Sequence, residues 1–122
     1  MYIGRLAALT GTTPKAIRYY EQLGLLPVAK RKGNYRIYDA FDVKAVNMIR
    51  LAQSVGFSLS ELQELSVLKY EQQRFPMGTA KALIADKKRQ ILEQQHKLQS
   101  MQENLLQLEH ELINTYELSD QI

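Results

Sequence analysis

The stretch from Thr12 to Pro27, TTPKAIRYYEQLGLLP, decides the fold, because it encodes a short helix with a defined start and stop. Thr13 suits the N-cap, where its hydroxyl accepts a bond from a backbone N–H of the first turn. Pro14 suits the first helical position, where no N–H donor is needed. Gly24 suits the position after the helix, and Pro27 prevents the helix from resuming.

Helical spacing divides this segment into two faces. Ala16, Ile17 and Tyr20 are expected to face inward. The outward face is shared by Lys15, Arg18, Tyr19 and Gln22. A guanidinium, an ammonium and a phenol on one small helix favour a surface that contacts phosphates and base edges.

Another short helix is predicted immediately before this segment, from Tyr2 to Thr10, and Gly11 turns the chain between the two. Two short helices joined by a brief turn with glycine are typical of a helix-turn-helix. The same pattern also fits an αα-hairpin that only packs. The apolar stripe of the first helix consists of Ile3, Leu6, Ala7 and Leu9.

The segment from Val28 to Tyr38, VAKRKGNYRIY, predicts a two-stranded β-wing with a cationic tip. Gly33 and Asn34 can take the positive φ values of a tight hairpin turn, and the alternation that follows suits a strand. A basic run such as Lys30–Lys32 is usually a solvated loop. Its place beside the predicted recognition helix favours contact with phosphates.

Two further helices are predicted, from Asp39 to Val55 and from Phe57 to Tyr70. Asp39 can cap the first, and Ser58 forms a capping box with Glu61 at the start of the second. The apolar positions of the first are Phe41, Val43, Val46, Ile49, Leu51 and Ala52.

A long helix is predicted from Thr79 to Tyr116, a stretch that contains neither glycine nor proline. Its apolar residues repeat every seven positions over about 42 Å, at roughly 1.5 Å per residue. The repeat consists of Ile84, Ile91, Leu98, Leu105 and Leu112, and a second heptad set, Lys87, Gln94, Met101 and Leu108, is apolar only in its C-terminal half. The seven apolar residues of the two sets are called the seam. One helix cannot bury such a seam alone, so a homodimer is predicted, although the pattern does not set its direction.

The predicted architecture is mainly α. A winged helix-turn-helix head occupies residues 1–70, a linker with Pro76 and Gly78 occupies 71–78, and the dimerisation helix occupies 79–116. A tail, 117–122, follows, and its last residues from Ser119 are expected to fray.

Charge is distributed unevenly along the chain. Residues 1–60 carry nine basic and three acidic side chains, whereas 61–122 carry seven and ten, so a net +6 precedes a net −3. A basic head with an acidic tail is typical of nucleic-acid-binding proteins. The absence of a long apolar run and of a visible signal peptide predicts a cytoplasmic protein with no membrane span.

No catalytic or metal site is predicted. The sequence contains no cysteine, which excludes disulfides and thiolate metal sites formed by these residues. His96 and His110 are about 21 Å apart along one helix at helical rise, too far for one metal to bridge. Neither a glycine-rich phosphate loop nor paired carboxylates are visible. We therefore expect neither an enzyme nor a cofactor.

An ordered set of motifs resembles the MerR family of bacterial transcription regulators across about the first 70 residues. The motifs are Ile3-Gly4-x-Leu6-Ala7, Thr10-Gly11, Ile17-Arg18-Tyr19-Tyr20-Glu21, Gly24-Leu25-Leu26-Pro27, Asn34-Tyr35-Arg36-x-Tyr38 and Gly56-Phe57-Ser58-Leu59. The long helix is similar to the family's dimerisation helix.

The resemblance implies a winged helix-turn-helix head and an antiparallel coiled coil. It also implies a two-fold-symmetric site in promoter DNA, between the −35 and −10 elements, that an activated dimer bends and untwists for RNA polymerase. By the resemblance, Arg18 and Tyr19 lie on the DNA-contacting helix, and Arg36 and Tyr38 meet the backbone from the wing. The residues expected to contact DNA are Thr13, for which a role only as a cap is an equal alternative, Lys15, Arg18, Tyr19, Lys30, Arg31, Asn34, Tyr35, Arg36 and Tyr38.

The chain departs from the metal-sensing members, which begin the dimerisation helix with a cysteine where this sequence has Met77-Gly78-Thr79. The separate ligand domain of drug-sensing members is also not expected. Two hypotheses for the signal stay open: no small-molecule effector, or a small organic ligand near Phe75 to Thr79. Two other functions also stay open: an architectural or recombination-associated DNA-binding protein, and a protein-interaction module that uses only the coiled coil.

Overall fold

The computed structural model describes residues 1–27 and 29–117, so Val28 and the predicted fraying tail lie outside the described residues. The chain divides into two compact units, residues 1–81 and 82–122. The elements in chain order are α1 (Ile3–Thr10), α2 (Pro14–Gln22), β1 (Lys30–Lys32), β2 (Tyr35–Ile37), α3 (Ala40–Ser54), α4 (Leu59–Gln72), α5 (Met77–Leu112) and a π-helical segment, Ile113–Glu117.

Local signals set the limits of α2 as the sequence predicts. The Thr13 hydroxyl accepts a hydrogen bond from the backbone N–H of Ala16 at 3.1 Å, and Pro14 opens the first turn. Gly24 follows the C-cap with a φ of 75°, a left-handed conformation that costs little only for glycine. The predicted N-cap role of Thr13 is therefore confirmed.

The wing is an antiparallel pair of three-residue strands. Lys30 is opposite Ile37, Arg31 is opposite Arg36, and Lys32 is opposite Tyr35. Two residues connect the strands, and the first of them, Gly33, has a φ of 62°. Asn34 does not share this positive φ, so the connection has the pattern of a type II′ turn rather than the type I′ turn, in which both φ values are positive.

The core of the head joins α1, α2, α3 and the end of the wing. α1 contacts both α2 and α3. The core residues are Leu6, Ala7, Ile17, Tyr20, Leu26, Tyr38, Ala45, Val46 and Ile49. Phe41 and Leu51 were predicted as apolar positions of α3, but they are 54% and 65% exposed. The apolar residues of α3 extend around more of its circumference than the part that packs against α1 and α2, so some of them stay exposed.

Capping boxes open both α3 and α4, at Asp39 with Asp42 and at Ser58 with Glu61, which confirms both predicted caps. α4 ends at Gln72, and its C-cap residue, Gln73, has a φ of 56°. α5 then begins at Met77, two residues before the predicted start. Its first turn includes a hydrogen bond of 3.0 Å from the Ala80 N–H to the Pro76 carbonyl.

The seam of α5 lies on the surface of the single chain. Its seven residues are 44% to 66% exposed, with Ile91 the least and Leu105 the most accessible. Leu92 and Leu106, each one residue after a seam position, are also exposed. Across the described residues, no helix combines the length and apolar character that a membrane span requires.

Candidate nucleic-acid interface

The outward face of α2 presents polar and aromatic groups, because Ile17 and Tyr20 fix the opposite face in the core. Lys15, Arg18 and Tyr19 are all exposed, as the helical spacing predicts. This face is accessible to a large ligand such as a duplex.

Two shallow clefts lie between α2 and the wing. The first, of about 350 Å³, is lined by Tyr2, Ile3, Arg18, Arg31, Asn34, Tyr35 and Arg36. The second, of about 400 Å³, is lined by Arg18, Glu21, Gln22, Gly24, Leu26, Pro27, Ala29, Arg31 and Arg36. Three arginines, one from α2 and two from the wing, line both clefts.

This arginine cluster, Arg18, Arg31 and Arg36, brings together charges from two separate predicted elements. Guanidinium groups suit phosphates and guanine edges, because their N–H donors form a planar fork. Asn34 and Tyr35 lie in the first cleft beside the cluster. Lys15 and Lys30 are exposed but line neither cleft.

Tyr38 requires a correction. The resemblance implied that it meets the DNA backbone, but its side chain is 3% exposed and belongs to the core. Its hydroxyl donates a hydrogen bond of 2.6 Å to Oε1 of Glu21. Burial, followed by this bond to Glu21, raises the pKa of Tyr38 to about 12. We therefore remove Tyr38 from the set of expected DNA contacts.

Glu21 also contacts the wing. Nη1 of Arg36 lies 3.4 Å from the same Oε1 atom. The side chain of Glu21 is 15% exposed, and that of Arg36 is 37% exposed. The last turn of α2, strand β2 and the residue that follows β2 thus meet at one carboxylate oxygen.

Tyr2 joins the interface, although its sequence position suggested only the start of a helix. Its ring centroid lies 5.6 Å from that of Tyr35, with the planes inclined by 52°. The backbone of Met1 supports this placement: the Tyr38 N–H donates to the Met1 carbonyl, and the Met1 nitrogen donates to the Tyr38 carbonyl, both at 2.7 Å. No local sequence signal marks contacts over such a separation.

The turn between α1 and α2 is held from α3. Nη1 of Arg50 donates a hydrogen bond to the carbonyl of Thr10, the last residue of α1. Gly11 follows with a φ of 63°, and a Cβ atom at this position would lie 2.9 Å from Nη1 of Arg50. The guanidinium therefore occupies the space that a side chain at Gly11 would need.

A metal centre has no support in the part of the chain that the structure describes, where no cluster of three or more His, Cys, Asp or Glu side chains could hold an ion. His96 and His110 both lie on α5, whereas the arginine cluster belongs to α2 and the wing.

A helix-turn-helix with an exposed cationic second helix and a basic two-stranded wing defines a DNA-binding head. Comparison with protein families agrees with this class. The family described as "MerR HTH family regulatory protein" matches residues 1–66, and the family described as "MerR, DNA binding" matches residues 43–108. The chain therefore belongs to the MerR family of DNA-binding transcription regulators, as the sequence motifs predicted.

Individual relatives support the same assignment. An uncharacterized HTH-type transcriptional regulator of Pseudomonas aeruginosa, PA4778, is 37% identical over 109 residues, covering 88% of this chain and 82% of the relative. The HTH-type transcriptional regulator CueR of Escherichia coli O6:H1 is 39% identical over 116 residues, covering 88% and 80%. Among solved structures, the transcription regulator PbrR691 from Ralstonia metallidurans CH34, in complex with lead(II), superposes with a TM-score of 0.67. Its sequence is 27% identical, and the match covers 90% of this chain and 86% of PbrR691.

Proposed function

We propose that two copies of this chain bind promoter DNA through the arginine cluster and regulate transcription there. The observation that carries the proposal is the convergence of Arg18 with Arg31 and Arg36 on two adjoining clefts. Phosphate contacts by the wing would supply affinity and register, and side chains of α2 would read base edges. The proposed contacts are Thr13, which also caps α2, Lys15, Arg18, Tyr19, Lys30, Arg31, Asn34, Tyr35 and Arg36.

The dimer would form through the seam of α5. Each copy carries seven large apolar seam residues that are exposed in the single chain. Pairing two seams removes this surface from water, the dominant favourable term in association. A two-fold axis through the coiled coil would place one recognition helix on each half of a symmetric site.

Regulation would act through the shape of the DNA. In this proposal, the bound dimer bends and untwists the promoter spacer, so that RNA polymerase can engage both promoter elements. Such deformation is favoured by flexible base steps, and it generates specificity at positions that the protein does not touch. The protein would act in the cytoplasm, as a regulator rather than as an enzyme.

The lead(II) of the PbrR691 structure is not extended to this chain, whose sequence contains no cysteine. We keep two alternatives for the signal. Control could act through the amount of protein or a protein partner, or an organic ligand could bind near Phe75 to Thr79. Thermal-shift screening that found a specific organic ligand would eliminate the first alternative.

Genomic mapping of binding sites, followed by footprinting, tests the proposal. A promoter regulator should protect a palindrome inside a promoter spacer, with distorted base pairs at its centre. An architectural protein should instead protect sites that bear no fixed relation to promoters. A module that binds only through its coiled coil should show no salt-dependent DNA binding.

A further inference from the structure

One carboxylate oxygen connects the recognition helix to the wing. Oε1 of Glu21, in the last turn of α2, receives the Tyr38 hydroxyl at 2.6 Å and lies 3.4 Å from Nη1 of Arg36. Tyr38 is 3% exposed, so its ring is fixed by the core. The chain of contacts therefore runs from the core, through a carboxylate, to a guanidinium at the DNA-facing clefts.

We propose that Glu21 and Tyr38 are positioning residues for DNA binding: the buried phenol fixes the Glu21 carboxylate, which holds Arg36 toward the phosphate backbone. This inference rests on the proposed function and assigns it two residues that do not themselves touch DNA.

The charges of the wing give the carboxylate a specific task. Arg36 lies directly opposite Arg31 across the two strands, and like charges in directly opposite positions repel each other. Glu21 supplies a negative charge on the α2 side of Arg36, and its side chain is only 15% exposed. The attraction is therefore less screened by salt than that between two surface groups. Without it, Arg36 would turn away from Arg31 and out of the shared clefts.

The phenol makes this task possible. A single contact of 3.4 Å between partly exposed groups orients a long side chain weakly. The short hydrogen bond from Tyr38 restricts the rotation of the Glu21 carboxylate, so the carboxylate is already oriented for its contact with Arg36. A tyrosine phenol is protonated at neutral pH, and the raised pKa of Tyr38, about 12, extends its role as a donor into the alkaline range. The Glu21 contact uses Nη1, and a guanidinium carries five N–H donors, so Arg36 can bind a phosphate while it remains paired.

Tyr38→Phe in the full chain tests the inference, because it removes one hydroxyl and keeps the buried ring. The probe is a duplex recovered by selection from a random library. We expect DNA affinity to fall about tenfold. This is the lower end of the range for losing a hydrogen bond to a charged group, here the bond between Arg36 and a phosphate. We also expect the slope of log K against log salt to decrease in magnitude by up to about 0.9, the value of one phosphate contact.

A double-mutant comparison separates positioning from general damage to the fold. In an Arg36→Ala background, Tyr38→Phe should no longer weaken DNA binding, although it should still lower thermal stability. Tyr70→Phe is the matched control, since Tyr70 is 87% exposed on α4 and its loss of a hydroxyl should leave affinity unchanged. An equal loss of affinity in both backgrounds would overturn the positioning role.

Glu21→Gln provides a second variant with a distinctive sign. The amide retains an oxygen acceptor for the Tyr38 hydroxyl but loses the negative charge. By net charge alone, this variant should bind DNA more tightly, whereas loss of the hold on Arg36 predicts weaker binding with a smaller salt slope. Unchanged or tighter binding by both Glu21→Gln and Tyr38→Phe overturns this inference and leaves the proposed function intact. A wild-type chain that binds no duplex overturns both.

Discussion

Replacing Gly11 by alanine should destabilise the head for two separable reasons. The residue has a φ of 63°, and a left-handed conformation costs a residue with a Cβ atom about 1–2 kcal/mol. The new Cβ would also lie 2.9 Å from Nη1 of Arg50 and would displace the guanidinium from the Thr10 carbonyl. Because this hydrogen bond is only part-buried, we assign its loss about 1 kcal/mol. Gly11→Ala should therefore cost about 2–3 kcal/mol in the free energy of unfolding.

The chain offers matched glycines for this experiment. Gly24 has a φ of 75° with nothing within 4 Å of the position that a Cβ would take, so Gly24→Ala should show the conformational cost alone, about 1–2 kcal/mol. Gly78 lies in the first turn of α5 with open space and an ordinary φ, so Gly78→Ala should be neutral or stabilising. The difference between Gly11→Ala and Gly24→Ala, about 1 kcal/mol, measures the Arg50 contact.

Denaturant unfolding followed by circular dichroism measures these differences. All variants should be compared at one protein concentration, because dimer stability depends on concentration. In an Arg50→Met background, Gly11→Ala and Gly24→Ala should cost the same. If Gly11→Ala costs no more than Gly24→Ala in the wild-type background, Arg50 does not hold the turn.

Three other predictions concern DNA binding, assembly and pH. Arg18→Ala should weaken binding to a selected duplex by about 1–3 kcal/mol in a titration, and unchanged affinity would remove Arg18 from the interface. Leu98→Lys places a charge in the middle of the seam and should yield a monomer in analytical ultracentrifugation; a stable dimer of this variant would contradict the assembly. Folding raises the pKa of Tyr38 from 10.0 to about 12, so its contribution to stability is present below pH 10 and lost as pH rises toward 12. Tyr38→Phe should therefore lose less unfolding free energy than the wild type between pH 10 and pH 12, as measured by denaturant unfolding. Identical pH profiles of the two proteins would refute this contribution of Tyr38.

Features that depend on neighbouring residues could be predicted from the sequence. The limits of α2 follow from Thr13, Pro14 and Gly24, because capping needs only adjacent backbone groups. The inward positions Ile17 and Tyr20 follow from helical periodicity. The capping box at the start of α4 is equally local.

The position of Tyr38 illustrates what periodicity cannot supply. Strand alternation, which the sequence suggested for this segment, is compatible with Arg36 and Tyr38 on one side, and both side chains meet Oε1 of Glu21. The prediction was wrong only for Tyr38: its side chain is packed in the core, whereas Arg36, which shares the contact with Glu21, lines both clefts. Alternation identifies residues that share a face, but the partner of that face depends on tertiary packing.

Long-range contacts were missed for the same reason. Arg50 reaches Thr10 across 40 positions, and Tyr2 meets Tyr35 across the whole helix-turn-helix. Neither pair has a local signature. The arginine cluster could be predicted in part. The sequence identified both basic segments, but only the three-dimensional structure shows that they line the same clefts.

The most direct test of the proposed DNA-binding surface is the salt dependence of DNA binding by a variant that lacks the arginine cluster. Replacing Arg18, Arg31 and Arg36 by alanine should reduce the slope of log K against log salt by about 2 to 3, at about 0.9 for each phosphate contact. A control variant with alanine at Lys69, Lys81 and Lys97 has the same change in net charge outside the cluster and should retain most of the slope. Equal slopes for the two variants would contradict the claim that the cluster forms the DNA-binding surface.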